Sequence, residues 1–241
     1  GDCAFSSCRS LTQIAIPASV ISIGEGAFSH CSQLEGIFVD SNNPNYNSID
    51  GILFTKDNCT LIYFPPKKVN QIYTIPSTVT SIGNYAFSGC NSLTQITIPS
   101  SVVLIGNHAF DHCWSLIQIT IPSSIKSIGK CAFSGCISLT QITIPSSVRS
   151  ISDSAFSYCH SLTEISIPSS VTSIGNNAFS SCSSLLQVRI PSSVTSIGNS
   201  AFAKCDSLTE IAIPSTVTSI GKYAFSGCDS LTQITIPSSV T

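Results

Sequence analysis

The chain has 241 residues, a net charge of −2 and only 9% charged residues, against roughly 25% in an ordinary soluble domain. About a fifth of it is serine, so hydroxyls rather than charges make its surface polar. There is no basic field to collect nucleic acid, and no apolar run approaches the ~20 residues that span a bilayer.

In chain order, the first two units carry Ala-Phe-x-x-Cys at residues 4–8 and 27–31, with strand-like segments ending at Ile16 and Val39. An enlarged stretch then occupies about residues 40–74. There Gly51-Ile52-Leu53-Phe54-Thr55 and Thr60-Leu61-Ile62-Tyr63-Phe64 flank Lys56-Asp57-Asn58-Cys59, which predicts a hairpin. Lys67 and Lys68 follow as the paired positive charges. Asn58-Cys59-Thr60 is a glycosylation sequon, usable only in a eukaryotic secretory route.

From Phe87 the chain becomes regular. Ala-Phe-x-x-Cys recurs with Phe at 87, 110, 133, 156, 179, 202 and 225, a constant step of 23. Each copy reads as Leu93-x-x-Ile96-x-Ile98 does, alternating apolar and polar residues as a strand requires. Pro99 removes a backbone donor and stops the strand. Val102, Ile105, Ala109 and Phe110 complete the inward face, and Gly106 permits a turn. Ala109–Cys113 is read as one short helical turn on the outer, convex side. Further strands end at Ile75, Ile98, Ile121, Ile144, Ile167, Ile190, Ile213 and Ile236, ten in all with the first two.

A single coil of 23 residues cannot cover its own apolar side, but stacked coils bury it against one another. The period therefore predicts one repeat solenoid over residues 1–241, about ten coils. Its fold class is a leucine-rich-repeat right-handed superhelix: a parallel sheet on the concave face and short helical or 3-10 turns on the convex face. The consensus Leu-x-x-Ile-x-Ile-Pro-x-x-Val-x-x-Ile-Gly-x-x-Ala-Phe-x-x-Cys resembles the BspA-like leucine-rich repeats of bacterial and protist surface proteins, and the irregular unit resembles one common in that family. The resemblance implies a cell-surface or secreted protein that adheres to host matrix or cell-surface proteins. Neither end of the chain shows a polar cap, which predicts a segment of a longer array, its ends open to end-to-end self-association.

Nine cysteines fill one repeat column: Cys8, Cys31, Cys90, Cys113, Cys136, Cys159, Cys182, Cys205 and Cys228. Neighbours about 5 Å apart point in parallel rather than at each other, so they read as free, buried fillers instead of disulfides or a metal array. His108, Asp111 and His112, with Cys131 one period beyond His108, form one local cluster that a metal could use; exposed, variable positions are the simpler reading, and no metal or cofactor is predicted.

Partner contacts are expected where the copies disagree. The outer sheet columns are monotonous Gln and Thr, with Arg189 the one anchor-like residue. The positions flanking the cysteines vary most, and three adjacent coils gather His112, Trp114, Ile137, Tyr158 and His160. Phe54, Tyr63, Lys67 and Lys68 of the irregular unit are the second candidate set. No phosphate-cradling loop, metalloprotease motif or carboxylate pair suggests an enzyme. The reading is a non-catalytic binding or adhesion module, with a structural spacer or filament segment as the alternative.

Overall fold

The computed structural model describes residues 1–68 and 71–241; residues 69 and 70 of the irregular unit lie outside that description. Eight of the strands predicted from the sequence form one parallel sheet, from Ile72–Thr74 through Gln95–Thr97 to Gln233–Thr235, in the order of the chain. The register steps by one repeat, with Gln95, Ile96 and Thr97 opposite Gln118, Ile119 and Thr120. The first two strands, Gln13–Ile16 and Gly36–Val39, pair separately. Central isoleucines such as Ile119 are buried while the flanking Gln and Thr face solvent, as strand alternation dictates.

A second ladder runs along another side. Two-residue strands such as Ser127–Ile128 and Leu104–Ile105 pair in parallel, as do Ser150–Ile151 through Ser219–Ile220. The expected helical turns are absent among the described residues. His108 and His112 take φ of 55° and 57°, and a left-handed residue every fourth position prevents a right-handed helix from propagating. Alternate backbone donors instead reach the next coil: His108 N to Lys130 O at 2.8 Å, Phe110 N to Ala132 O at 2.7 Å and His112 N to Ser134 O at 2.7 Å.

Inside, the phenylalanines stack as a column. Phe110 and Phe133 lie 5.1 Å apart and within 6° of parallel. Each buried ring contributes on the order of 2–3 kcal/mol by leaving water. From Cys31 onward the column cysteines cap this stack, each thiol donating to the Phe carbonyl of the preceding coil, as Cys113 Sγ does to Phe87 O at 3.0 Å and Cys136 Sγ to Phe110 O at 3.2 Å. All twelve cysteines are free. Burial raises the Cys159 thiol to about 12, and the seven buried column thiols are inert fillers; the expectation fails at Cys8, exposed in the first coil with no earlier coil to cover it, and Cys228 of the last complete coil is only partly buried.

The irregular unit is a three-stranded antiparallel meander of Tyr46–Ile49, Ile52–Thr55 and Thr60–Tyr63. Its last two strands are the predicted hairpin; the first was not anticipated. The meander separates two cores. Leu53 and Tyr63 pack with the first two coils, around Phe28 and Leu34. Ile52, Phe54, Leu61 and Phe64 pack with the main stack. Phe64 supplies the missing ring of the column, 5.3 Å from Phe87, and its carbonyl accepts from Cys90 Sγ.

Two tyrosine hydroxyls tie the meander to the first core. Tyr63 Oη donates to Phe28 O at 2.6 Å, and Ile23 N donates to Tyr46 Oη at 2.8 Å. Phe54 and Tyr63 are 1% and 2% exposed. They therefore hold the seam and cannot form a partner-contacting surface, which corrects that expectation.

Candidate functional site

The outward edge beside the cysteines is built by pinned backbone. Cys113 is tied to Phe87 O through its thiol, and Leu116 N closes a turn onto Cys113 O at 3.1 Å with its side chain fully buried. Trp114 sits between these anchors, its backbone N–H donating to Asn91 Oδ1 at 3.4 Å. The indole has no inward path and stands 48% exposed. Ile137 and His160 occupy the same position in the next two coils, and both are exposed.

The structure brings the predicted edge residues together as two ring pairs around Ile137. His112 and Trp114 lie 6.5 Å apart; Tyr158 and His160 meet edge-on at 6.1 Å. The sequence reading missed Ile117, which is 50% exposed three residues beyond Trp114. Its column reads Thr94, Ile117, Thr140, Thr163, so the departure from Thr was the available signal. Together Trp114, Ile117 and Ile137 place large apolar groups on an otherwise hydroxyl-rich edge, where single scattered ones would need no explanation.

The remaining candidates lie elsewhere. Arg189 faces solvent on the long sheet, in a shallow depression of about 270 Å³ with Gln141, Thr143, Glu164, Ser166 and Gln187. Lys67 is exposed. Lys68 is engaged locally, its Nζ 2.8 Å from Asp50 Oδ2 and 2.7 Å from Asp50 O.

Behind the edge, Asp111 is a buried carboxylate held by two imidazoles. Oδ2 lies 3.2 Å from His108 Nδ1, and Oδ1 lies 2.9 Å from His112 Nδ1. Tyr85 stacks on His108 with centroids 4.6 Å apart and planes within 3°. The hydrogen bond to Asp111, then that to Cys131, raises His108 from 6.5 to about 9, so the imidazole is cationic at neutral pH. Among the described residues no three His, Cys, Asp or Glu side chains converge as a metal requires; Asp111 gives one oxygen to each histidine instead. No helix of the described residues is long and apolar enough to cross a membrane.

The family model described as BspA type leucine rich repeat region matches the chain in six copies over residues 1–74, 67–185 and 149–241. Among solved structures, a leucine-rich repeat protein from Eubacterium ventriosum is 32% identical with a TM-score of 0.86; the match covers 94% of this chain and 61% of that one. A leucine-rich repeat protein of T. pallidum is 33% identical with a TM-score of 0.66, covering 74% of this chain and 86% of that one. The chain thus spans about three fifths of the E. ventriosum protein. Comparison with curated proteins returned no match.

Proposed function

The chain belongs to the BspA-type leucine-rich repeat family, and from that premise we propose that it is a non-catalytic protein-binding module, displayed on a cell surface or secreted, that adheres through the edge around Trp114. The observation that carries this reading is the exposed cluster of Trp114, Ile117 and Ile137 flanked by His112, Tyr158 and His160. A rigid stack holds these groups at coil spacing, so little ordering entropy is lost when a partner docks. Trp and Tyr are the side chains that carry most interface energy. The long sheet, by contrast, offers Gln and Thr with Arg189 alone as an anchor.

The test is surface plasmon resonance of the purified chain over a panel of extracellular matrix proteins. For any matrix protein bound, Trp114→Ala should weaken affinity by roughly 30-fold, the loss of a hot-spot residue worth about 2 kcal/mol. Arg189→Ala should leave it within about threefold. The reverse ranking, or no binding across the panel, would overturn the adhesive reading and favour a structural spacer.

A further inference from the structure

The stack has one short corner. In the regular coils four residues, such as Gly83-Asn84-Tyr85-Ala86, lead from the two-residue strand to the column phenylalanine. In the irregular unit Leu61 takes the place of Ile82 in the ladder, and Phe64 that of Phe87 in the column. Only Ile62 and Tyr63 lie between them, two residues against four. The coils on either side therefore meet across the corner: Gly26, at φ 60°, packs against the Tyr85 ring. A notch of about 260 Å³ opens where the missing residues would run. Residues 24–27 line it on one side, Gly83 and Asn84 on the other, with the apolar groups of Phe28, Ile62 and Tyr63 between.

Backbone groups that pair at the regular coil junctions are left over here. Cys3 N donates to Glu25 O at 2.9 Å, Tyr85 N to Asn107 O at 2.9 Å and His108 N to Lys130 O at 2.8 Å. Gly26 N and Asn84 O hold the same places on either side of the short corner, and neither has a partner among the described residues. A side-chain ladder breaks at the same point. Asp2 Oδ1 accepts from Glu25 N, and Asn84 Oδ1 from Asn107 N. The Glu25 carboxylate, next in that line, meets no N–H, and Asn84 N meets no oxygen, among the described residues. Tyr46 Oη, also in the notch, accepts from Ile23 N at 2.8 Å and keeps its proton to donate. Backbone groups left unpaired in a fold are normally satisfied by a ligand or by water.

We propose that this notch is a binding site for one neutral pyranose ring. Donors and acceptors stand side by side in it: Gly26 N, Asn84 N and the Tyr46 hydroxyl donate, while Glu25 and Asn84 O accept. Neighbouring sugar hydroxyls, each both donor and acceptor, use the two kinds together. The C–H face of the ring lies against Phe28, Ile62 and Tyr63. Other ligand classes fit less well. An anion would face the Glu25 carboxylate, a cation would leave the N–H groups unpaired, and a wholly apolar ligand would bury every one of these groups unsatisfied. The volume falls just below the roughly 300–1,000 Å³ of pockets for drug-sized ligands, which suits a single ring. The site uses none of the residues of the Trp114 edge.

The isotope-labelled chain is titrated, by amide chemical shift, with the methyl pyranosides of glucose, galactose, mannose and N-acetylglucosamine at millimolar concentrations. Sodium phosphate and methylguanidinium chloride are titrated separately. At least one glycoside should shift the backbone amides of Gly26 and Asn84, while the indole N–H of Trp114, the single tryptophan, stays in place. Glu25→Ala removes an exposed side chain that has no partner among the described residues. It should weaken that glycoside by about tenfold or more, the loss of a hydrogen bond to a charged group, and leave the thermal midpoint unchanged. No shift with any glycoside would overturn the proposal. So would shifts produced by phosphate or methylguanidinium alone, shifts centred on the Trp114 indole, or an unchanged affinity in Glu25→Ala.

Discussion

At the scale of single residues, the buried Asp111 side chain is satisfied by two imidazoles, one on each oxygen, where a carboxyl group without partners would be costly to bury. His108 is raised from 6.5 to about 9 in the folded chain, first by its bond to Asp111 and then by that to Cys131. Folding therefore favours the protonated ring. The stability this supplies is complete below pH 6.5 and is lost as pH climbs through about 9. The urea midpoint should fall between pH 6.5 and 9, and His108→Asn should flatten that fall. A midpoint that rises over this window would contradict the pairing. Little of this cluster was legible in the sequence. His108, Asp111 and Cys131 could be brought together by adding the period, but Tyr85 could not be recognised as the stacking partner. Left-handed corners normally announce themselves through glycine, and here Tyr, His and Cys occupy them.

At the scale of elements, the regular coil was readable because each signal has a single meaning. Alternation marked the strand, Pro99 its end, and the Phe column the stack. The short Ser127–Ile128 type ladder escaped notice because two residues carry no period. The convex turn was misread because the apolar spacing in Ala109–Cys113 matches a helix, while its backbone donors are drawn to the neighbouring coil. The meander was half legible. The run Leu61-Ile62-Tyr63-Phe64 looked like a strand, but that Tyr63 and Phe64 enter different cores cannot be told from hydrophobicity. The seam gives a sharp prediction. Tyr63→Phe keeps the ring but strips the donor from the buried Phe28 carbonyl, which should cost about 1–3 kcal/mol in denaturant unfolding. Phe133→Ala, in mid-stack, should cost more, roughly 3–5 kcal/mol. Equal and negligible losses would mean that the Tyr63 hydroxyl does not tie the meander to the first core.

At the scale of the whole molecule, the repeat explains both what is constant and where recognition can reside. Stacking demands sameness inward, so the Phe, Cys, Leu and Ile columns carry structure and no specificity. Outward columns are released from that demand. The Gln and Thr face varies little apart from Arg189 and Ala212, and the positions flanking the cysteines change most, the one after them from Trp114 through Ile137, His160 and Ser183 to Asp206 and Asp229. The sequence located that edge because variation within one chain can be read column by column. It could not show that Phe54 and Tyr63, equally irregular, are interior, because departure from a repeat marks a repaired core as readily as a binding surface. The most direct test of the adhesive edge is hydrogen exchange and hydroxyl-radical footprinting of the chain bound to a matrix protein from the panel. Protection is predicted at residues 112–117, 137 and 158–160, with the sheet face around Arg189 unchanged; protection centred on that face, with Trp114 still open to oxidation, would contradict it.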